Sequence, residues 1–209
     1  MTVIELIWNE GFWFVLILIL LFIPIVIRPI LNTMGYNKWL AKLTILKGWH
    51  RPWKSYFFHI PRLICIRKKV IVKRKVRLIS GTLVPFDDDL HTNKLFGFSI
   101  GLGVHKHSYR VGWNSDRNGN GRAYVYCYIS GSRVYKELNY MEEGKDYYFF
   151  ISYEKHNKVG ITMRNEDFKE LGHFEITPGV HCCIGWKLFT YYGDTDRAPR
   201  KMKLNISKG

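Results

Sequence analysis

The sequence predicts a mainly β protein: an N-terminal transmembrane helix followed by an antiparallel β-sandwich or jelly-roll-like domain, or a barrel, of about ten strands. Three observations carry that prediction. Residues 11–27, GFWFVLILILLFIPIVI, are an uncharged run of 17. Residues 28–80 hold 14 Lys and Arg and no acid, nearly all of the chain's net +15. From residue 68 onward, short alternating apolar and polar runs are separated by turn signals such as Asn118-Gly119-Asn120-Gly121, Ser130-Gly131, Glu143-Gly144 and Pro178-Gly179. With 209 residues, 47% of them apolar, the chain is long enough to bury a core, which excludes a collagen, a disordered tail and a disulfide mini-protein.

The apolar run would reach about 25 Å as a helix, the short end of a bilayer span. Its acidic start, with Glu5 and Glu10, and the absence of a small-residue cleavage site favour a retained anchor over a signal peptide. Trp8 and Trp13 suit an interfacial belt, and Pro24 a kink near the end. Arg28, Lys38, Lys42 and Lys47 follow the run and no cation precedes it. The positive-inside rule then predicts a single-pass protein of the bacterial inner membrane, N-terminus out and C-terminal domain cytoplasmic. In that compartment Cys65, Cys127, Cys182 and Cys183 are expected to stay reduced.

The predicted organisation is an anchor over 1–32, a basic aromatic membrane-interface region over 33–67 and a β domain over 68–209. In the interface region Trp39, Trp49 and Trp53 alternate with Lys42, Lys47, Arg51 and Lys54, a mixture suited to lipid headgroups. A short surface helix is expected over 36–47, where Trp39, Leu40, Leu43 and Leu46 share a face. Each Lys or Arg near the surface would add about 1 kcal/mol of attraction to anionic lipid.

The first strand, 68–79, alternates by twos. Val70, Val72, Val76 and Leu78 form one face, interrupted by Arg74; Lys69, Lys73, Lys75 and Arg77 form the other, interrupted by Ile71. Its exposed cations, about 6.6 Å apart, could meet lipid phosphates or, alternatively, a nucleotide or nucleic acid. Further strands are expected over 94–101, 105–113, 122–129, 132–139, 146–154, 157–163, 172–177, 180–191 and 200–207. In 122–129, Ala123, Val125, Cys127 and Ile129 read as core, and Tyr124, Tyr126 and Tyr128 line the opposite face, where they could stack a ligand. The strand 146–154 is apolar on both faces, which favours a central position and self-association into a homo-oligomer.

Motifs for chemistry are sparse. Asp116-Arg-Asn118-Gly-Asn120-Gly121 opens like a calcium loop, but the closing Glu position is Cys127, so a hairpin turn is the better reading. Asp87, Asp88 and Asp89 would not all point at one cation. His105 with His107, and His181 with Cys183, lack the spacing of a zinc site. There is no Gly-x-Ser-x-Gly and no phosphate-binding Gly-x-x-x-x-Gly-Lys. The sequence therefore assigns no catalytic residue, no metal ligand and no cofactor. A carboxylate pair for glycoside hydrolysis would be spatial and stays open.

Lys94-Leu-Phe-Gly-Phe-Ser-Ile100, His105-Lys-His-Ser-Tyr-Arg-Val-Gly-Trp113 and the closing Ala198-Pro199-Arg-Lys-Met-Lys-Leu-Asn-Ile206 resemble small uncharacterised β proteins of Bacteroidota and their phages, and more distantly concanavalin-type jelly rolls. In layout, a membrane helix followed by a cytoplasmic β domain is similar to bacterial antiviral membrane effectors. That resemblance implies a non-enzymatic protein that oligomerises at the membrane, with anionic lipids as partners, and perturbs the bilayer, as a pore would, in antiviral defence. The alternatives are a membrane-tethered binding module for nucleotide, nucleic acid or glycan, and a lectin-like glycoside hydrolase.

Overall fold

Twelve strands account for the regular structure of the computed structural model, which describes residues 41–52, 62–66, 70–85, 93–153, 158–180, 182–192 and 197–208. The expected anchor over 11–27 lies outside the described residues, as do Trp39, Trp53, Lys54 and Lys69. Among the described residues, no helix is long and apolar enough to cross a membrane.

In chain order the strands are β1 (Lys42–Ile45), β2 (Arg62–Cys65), β3 (Val70–Leu78), β4 (Asn93–Ser99), β5 (Ser108–Ser115), β6 (Gly121–Ile129), β7 (Ser132–Met141), β8 (Asp146–Tyr153), β9 (Val159–Arg164), β10 (Glu170–Ile176), β11 (Ile184–Leu188) and β12 (Met202–Lys208). They form two six-stranded antiparallel sheets, ordered β1-β12-β3-β8-β9-β10 and β2-β11-β4-β5-β6-β7. The two sheets are separate, so the expected antiparallel β architecture takes the sandwich form and not the barrel.

Ten of the strands are those the alternation predicts; β1 and β2 are additional. The helix expected over 36–47 is corrected at residues 42–45, which pair with β12. A four-residue window of Lys42, Leu43, Thr44 and Ile45 satisfies a period of two as well as a helical face. Pairing decides the matter: Leu43 sits opposite Leu204 and Ile45 opposite Met202, and all four side chains are buried.

The core is built from the inward set of each strand. Val72, Val76 and Leu78 of β3, Tyr147, Phe149, Ile151 and Tyr153 of β8, and Ala123, Val125 and Cys127 of β6 are all buried. Phe96 meets Phe149 edge to face at 6.3 Å, and Phe98 reaches Tyr153 at the same separation, tying the sheets together. Each fully buried large side chain contributes about 1.5–3 kcal/mol. The Cys127 thiol is pushed up to about 12 by burial. Arg74, the break in the apolar face of β3, donates from Nη1 to the Lys73 carbonyl at 2.6 Å, and burial lowers its pKa. The doubly apolar β8 is internal, flanked by β3 and β9; its other face, Tyr148 and Phe150, is half-buried on the outside of the first sheet.

Candidate functional site

Strand pairing organises the outer face of the second sheet into three cross-strand rows. Lys94, Gly112, Tyr124 and Glu137 form the first; Gly97, Arg110, Tyr126 and Tyr135 the second; Ser99, Ser108, Tyr128 and Arg133 the third. Side chains directly opposite one another lie on the same face, so these rows are neighbours across β4, β5, β6 and β7. Bulges between Lys94 and Phe96 and between Ala123 and Tyr124 keep this set outward while Leu95, Phe96 and Ala123 enter the core.

This face is solvent-side by pairing yet closely packed: Lys94 and Tyr124 are each 4% exposed and Tyr126 2%. The Lys94 Nζ lies 4.7 Å from the Tyr126 ring centroid and 5.6 Å from that of Tyr191. Main-chain bonds from Lys94 N to Tyr191 O (2.7 Å) and from Tyr191 N to Lys94 O (2.8 Å) hold the second ring there. Thr190 Oγ1, donating to the Leu95 carbonyl at 2.8 Å, secures the same segment. His50 stacks on Tyr191 at 5.3 Å and 9°, and the Arg51 guanidinium carbon lies 5.7 Å from that ring. Two cations therefore share one phenol ring, an arrangement stabilised by the ring's negative faces.

The tyrosine row has three distinct environments. Tyr124 lies flat under Tyr135, centroids 4.4 Å apart and planes at 18°. The hydroxyls of Tyr126 and Tyr128 are hydrogen-bonded at 3.1 Å, and His105 meets the Tyr128 ring edge-on at 5.4 Å. Arg110 has room because its neighbour across β4 is glycine: a Cβ on Gly97 would fall 2.9 Å from Arg110 Cγ and 2.1 Å from the Tyr109 carbonyl oxygen.

At the far end of β6, Arg122 lies between two carboxylates, with Nη2 at 3.4 Å from Asp116 and Nη1 at 3.4 Å from Glu137. Its pKa is raised, by the hydrogen bond with Tyr124 foremost and by the Glu137 charge after it. Asp116 also accepts from Asn118 N, Asn120 N and Asn120 Nδ2. The Asn120 side chain foremost, then the turn amides and Arg122, holds this carboxyl below its ordinary value. The calcium-like spacing thus builds a self-satisfied turn, and Asp116 is unsuited to the raised-pKa acid role of a glycoside hydrolase. Among the described residues no three metal-binding side chains converge.

The structure divides the residues singled out from sequence. Tyr126, Tyr128 and Arg51 converge on the face described above, with Tyr124 covered beside them. Lys73, Lys75 and Arg77 lie on the outside of the other sheet, and Lys42, Lys47 and Trp49 are exposed near β1. Sequence reasoning missed Lys94, Arg110, His50 and Tyr191. A lone lysine heading the apolar run Leu95-Phe-Gly-Phe98 was the available signal for the first.

No protein-family model and no curated protein matches the chain. Solved structures do. The alginate lyase Aly36B is 15% identical with a TM-score of 0.56, over 80% of this chain and 78% of that one. A variant of it in complex with alginate tetrasaccharide superposes equally well, at 14% identity and a TM-score of 0.56 over the same shares of the two chains. The alginate lyase vAL-1 from Chlorella virus is 9% identical with a TM-score of 0.50, over 80% and 81%. At these identities the likeness establishes the jelly-roll fold, which is the part of the expected resemblance that holds. The expectation of a non-enzymatic effector is corrected on this ground: the structures the fold resembles are those of alginate lyases.

Proposed function

We propose that the chain is a glycan-active enzyme that binds an acidic polysaccharide along the outer face of the second sheet and cleaves it by β-elimination. The observation that carries this reading is the Lys94 ammonium, lodged between the rings of Tyr126 and Tyr191 and beside the hydrogen-bonded Tyr126–Tyr128 pair. Hydrolysis needs two carboxylates with opposed roles, whereas the carboxylates at this face, Asp116 and Glu137, are both engaged by Arg122. Elimination needs cations and a proton carrier.

In a uronate the C5 proton is acidic only once the adjacent carboxylate is neutralised, and Lys94 and Arg110 are the cations aligned for that task. A hydroxyl oxygen of the tyrosine pair takes the C5 proton as general base. The freed electron pair forms the C4–C5 double bond, the C4–O bond to the leaving sugar breaks, and that oxygen receives a proton from the same pair. The resemblance of fold to alginate lyases supports the substrate class.

Incubation of the full chain with alginate, pectate and a neutral glucan tests this. The expected result is growth of the ultraviolet absorbance of an unsaturated uronate with an acidic polymer only. Absence of cleavage with every acidic polymer overturns the proposal.

A further inference from the structure

The opposite face of the sandwich carries a second aromatic and cationic platform that the cleavage site does not use. On the outside of the first sheet, Phe150 has Lys73 Nζ at 5.1 Å and the Arg164 guanidinium carbon at 5.3 Å from its centroid. Two residues along β8, Tyr148 stacks on Phe168, centroids 4.5 Å apart and planes at 29°. Phe168 belongs to no strand and adopts φ = 59°, a left-handed conformation that a bulky residue enters at a cost.

The turn does not need that side chain. Its closure is made by Asn165: its amide donates to the Lys169 carbonyl (3.0 Å), its carbonyl accepts from Phe168 N (3.1 Å) and its Oδ1 accepts from Lys169 N (2.9 Å). Glycine at 168 would make the same bonds without strain. The phenyl ring is nevertheless there, 49% exposed and laid flat on Tyr148. Strain retained to present an exposed aromatic ring points to a surface that touches something.

Charge narrows the partner. Asp146 pairs with Lys75 at 3.1 Å and with Arg77, whose Nε donates at 2.7 Å. Lys73 and Arg164 make no ion pair among the described residues, and Arg164 Nε is buried without a hydrogen-bond partner there. Aromatic rings beside two cations that make no ion pair among the described residues fit sugar rings that carry carboxylates.

We infer that Phe150, Phe168, Lys73 and Arg164 form a second binding surface for the same acidic polysaccharide, back to back with the cleavage site and serving to hold the polymer. The identity of the ligand rests on the proposed function; the existence of the surface does not.

The test measures affinity for sodium alginate by affinity electrophoresis and titration calorimetry on the full chain, comparing wild type with Phe168→Gly and the double variant Lys73→Ala/Arg164→Ala. Melting temperature serves as the control for folding, and Phe168→Gly relieves strain, so it should fold at least as well. Polymer affinity should fall about tenfold in both variants, while turnover of a tetrasaccharide, too short to reach both faces, stays at the wild-type value. Tyr128→Phe, at the cleavage site, should keep polymer binding on this surface. Alginate affinity within twofold of wild type in both variants overturns the inference, as does loss of binding to phosphatidylglycerol vesicles with alginate binding intact. If the chain cleaves no acidic polymer, the affinity comparison still decides whether this surface binds one.

Discussion

The ammonium of Lys94 sits 4.7 Å from the centre of the Tyr126 ring, on the face of β4 and β6 turned away from the core, with 4% of the lysine exposed. Lysine is rarely buried so completely unless it is paired, here with the rings of Tyr126 and Tyr191, and the neighbouring Tyr126–Tyr128 hydroxyl pair is the proton carrier of the proposed reaction.

Replacing Lys94 by Met keeps the length and apolar stem and removes the charge. Cleavage of an acidic polymer should fall by about 10²-fold or more in kcat/KM, the scale of losing one preorganised charge at a reacting centre. The melting temperature should change little, because a thioether against two aromatic rings is itself favourable. Steady-state kinetics with parallel thermal melts checks both halves.

Tyr128→Phe removes one hydroxyl and leaves the ring against His105. Because the hydroxyl is assigned to proton transfer, kcat should drop by about 10²–10⁴-fold while KM changes far less. A change confined to KM would assign Tyr128 to binding alone.

Gly97→Ala probes the close approach of β4 and β5. The new methyl would lie 2.1 Å from the Tyr109 carbonyl oxygen, a backbone atom that cannot swing aside. The variant should lose about 1–3 kcal/mol or more in denaturant unfolding, and its Arg110 would be displaced from the face.

Asp146 provides the pH test. The Arg77 hydrogen bond foremost, together with Lys75, holds its carboxyl below the ordinary value. A folded-state pKa below the unfolded one gives stability that is present above the unfolded value, about 3.9, and is lost as pH falls through the folded value. Asp146→Asn should therefore be less stable than wild type at neutral pH, and the gap should close below about pH 4. Urea midpoints from pH 7 to pH 3 check this.

How far the sequence could be read follows from period and pairing. In β6 the alternation separated Ala123, Val125 and Cys127 from Tyr124, Tyr126 and Tyr128 because one face is core and the other is not. In β3 even the two interruptions, Arg74 inward and Ile71 outward at 56% exposure, were legible. Lys42–Ile45 was not, because four residues carry too little periodicity and partner β12 lies more than 150 residues away. The site was half legible for the same reason. The tyrosines announce themselves along one strand, whereas Lys94, Arg110, Tyr191 and His50 are joined by register and by a loop bond, and no local pattern encodes those. The non-enzymatic expectation was drawn from layout, an analogy of arrangement that carries no site chemistry, and the likeness of the β fold to alginate lyases is what runs against it.

The most direct measurement is digestion of alginate by the full chain in heavy-oxygen water, with the products read by mass spectrometry. Elimination breaks the C4–O bond without adding water, so the account predicts fragments that carry an unsaturated end and no solvent oxygen. Fragments that each gain one water and its heavy oxygen would identify a hydrolase and contradict the roles given to Lys94 and the Tyr126–Tyr128 pair.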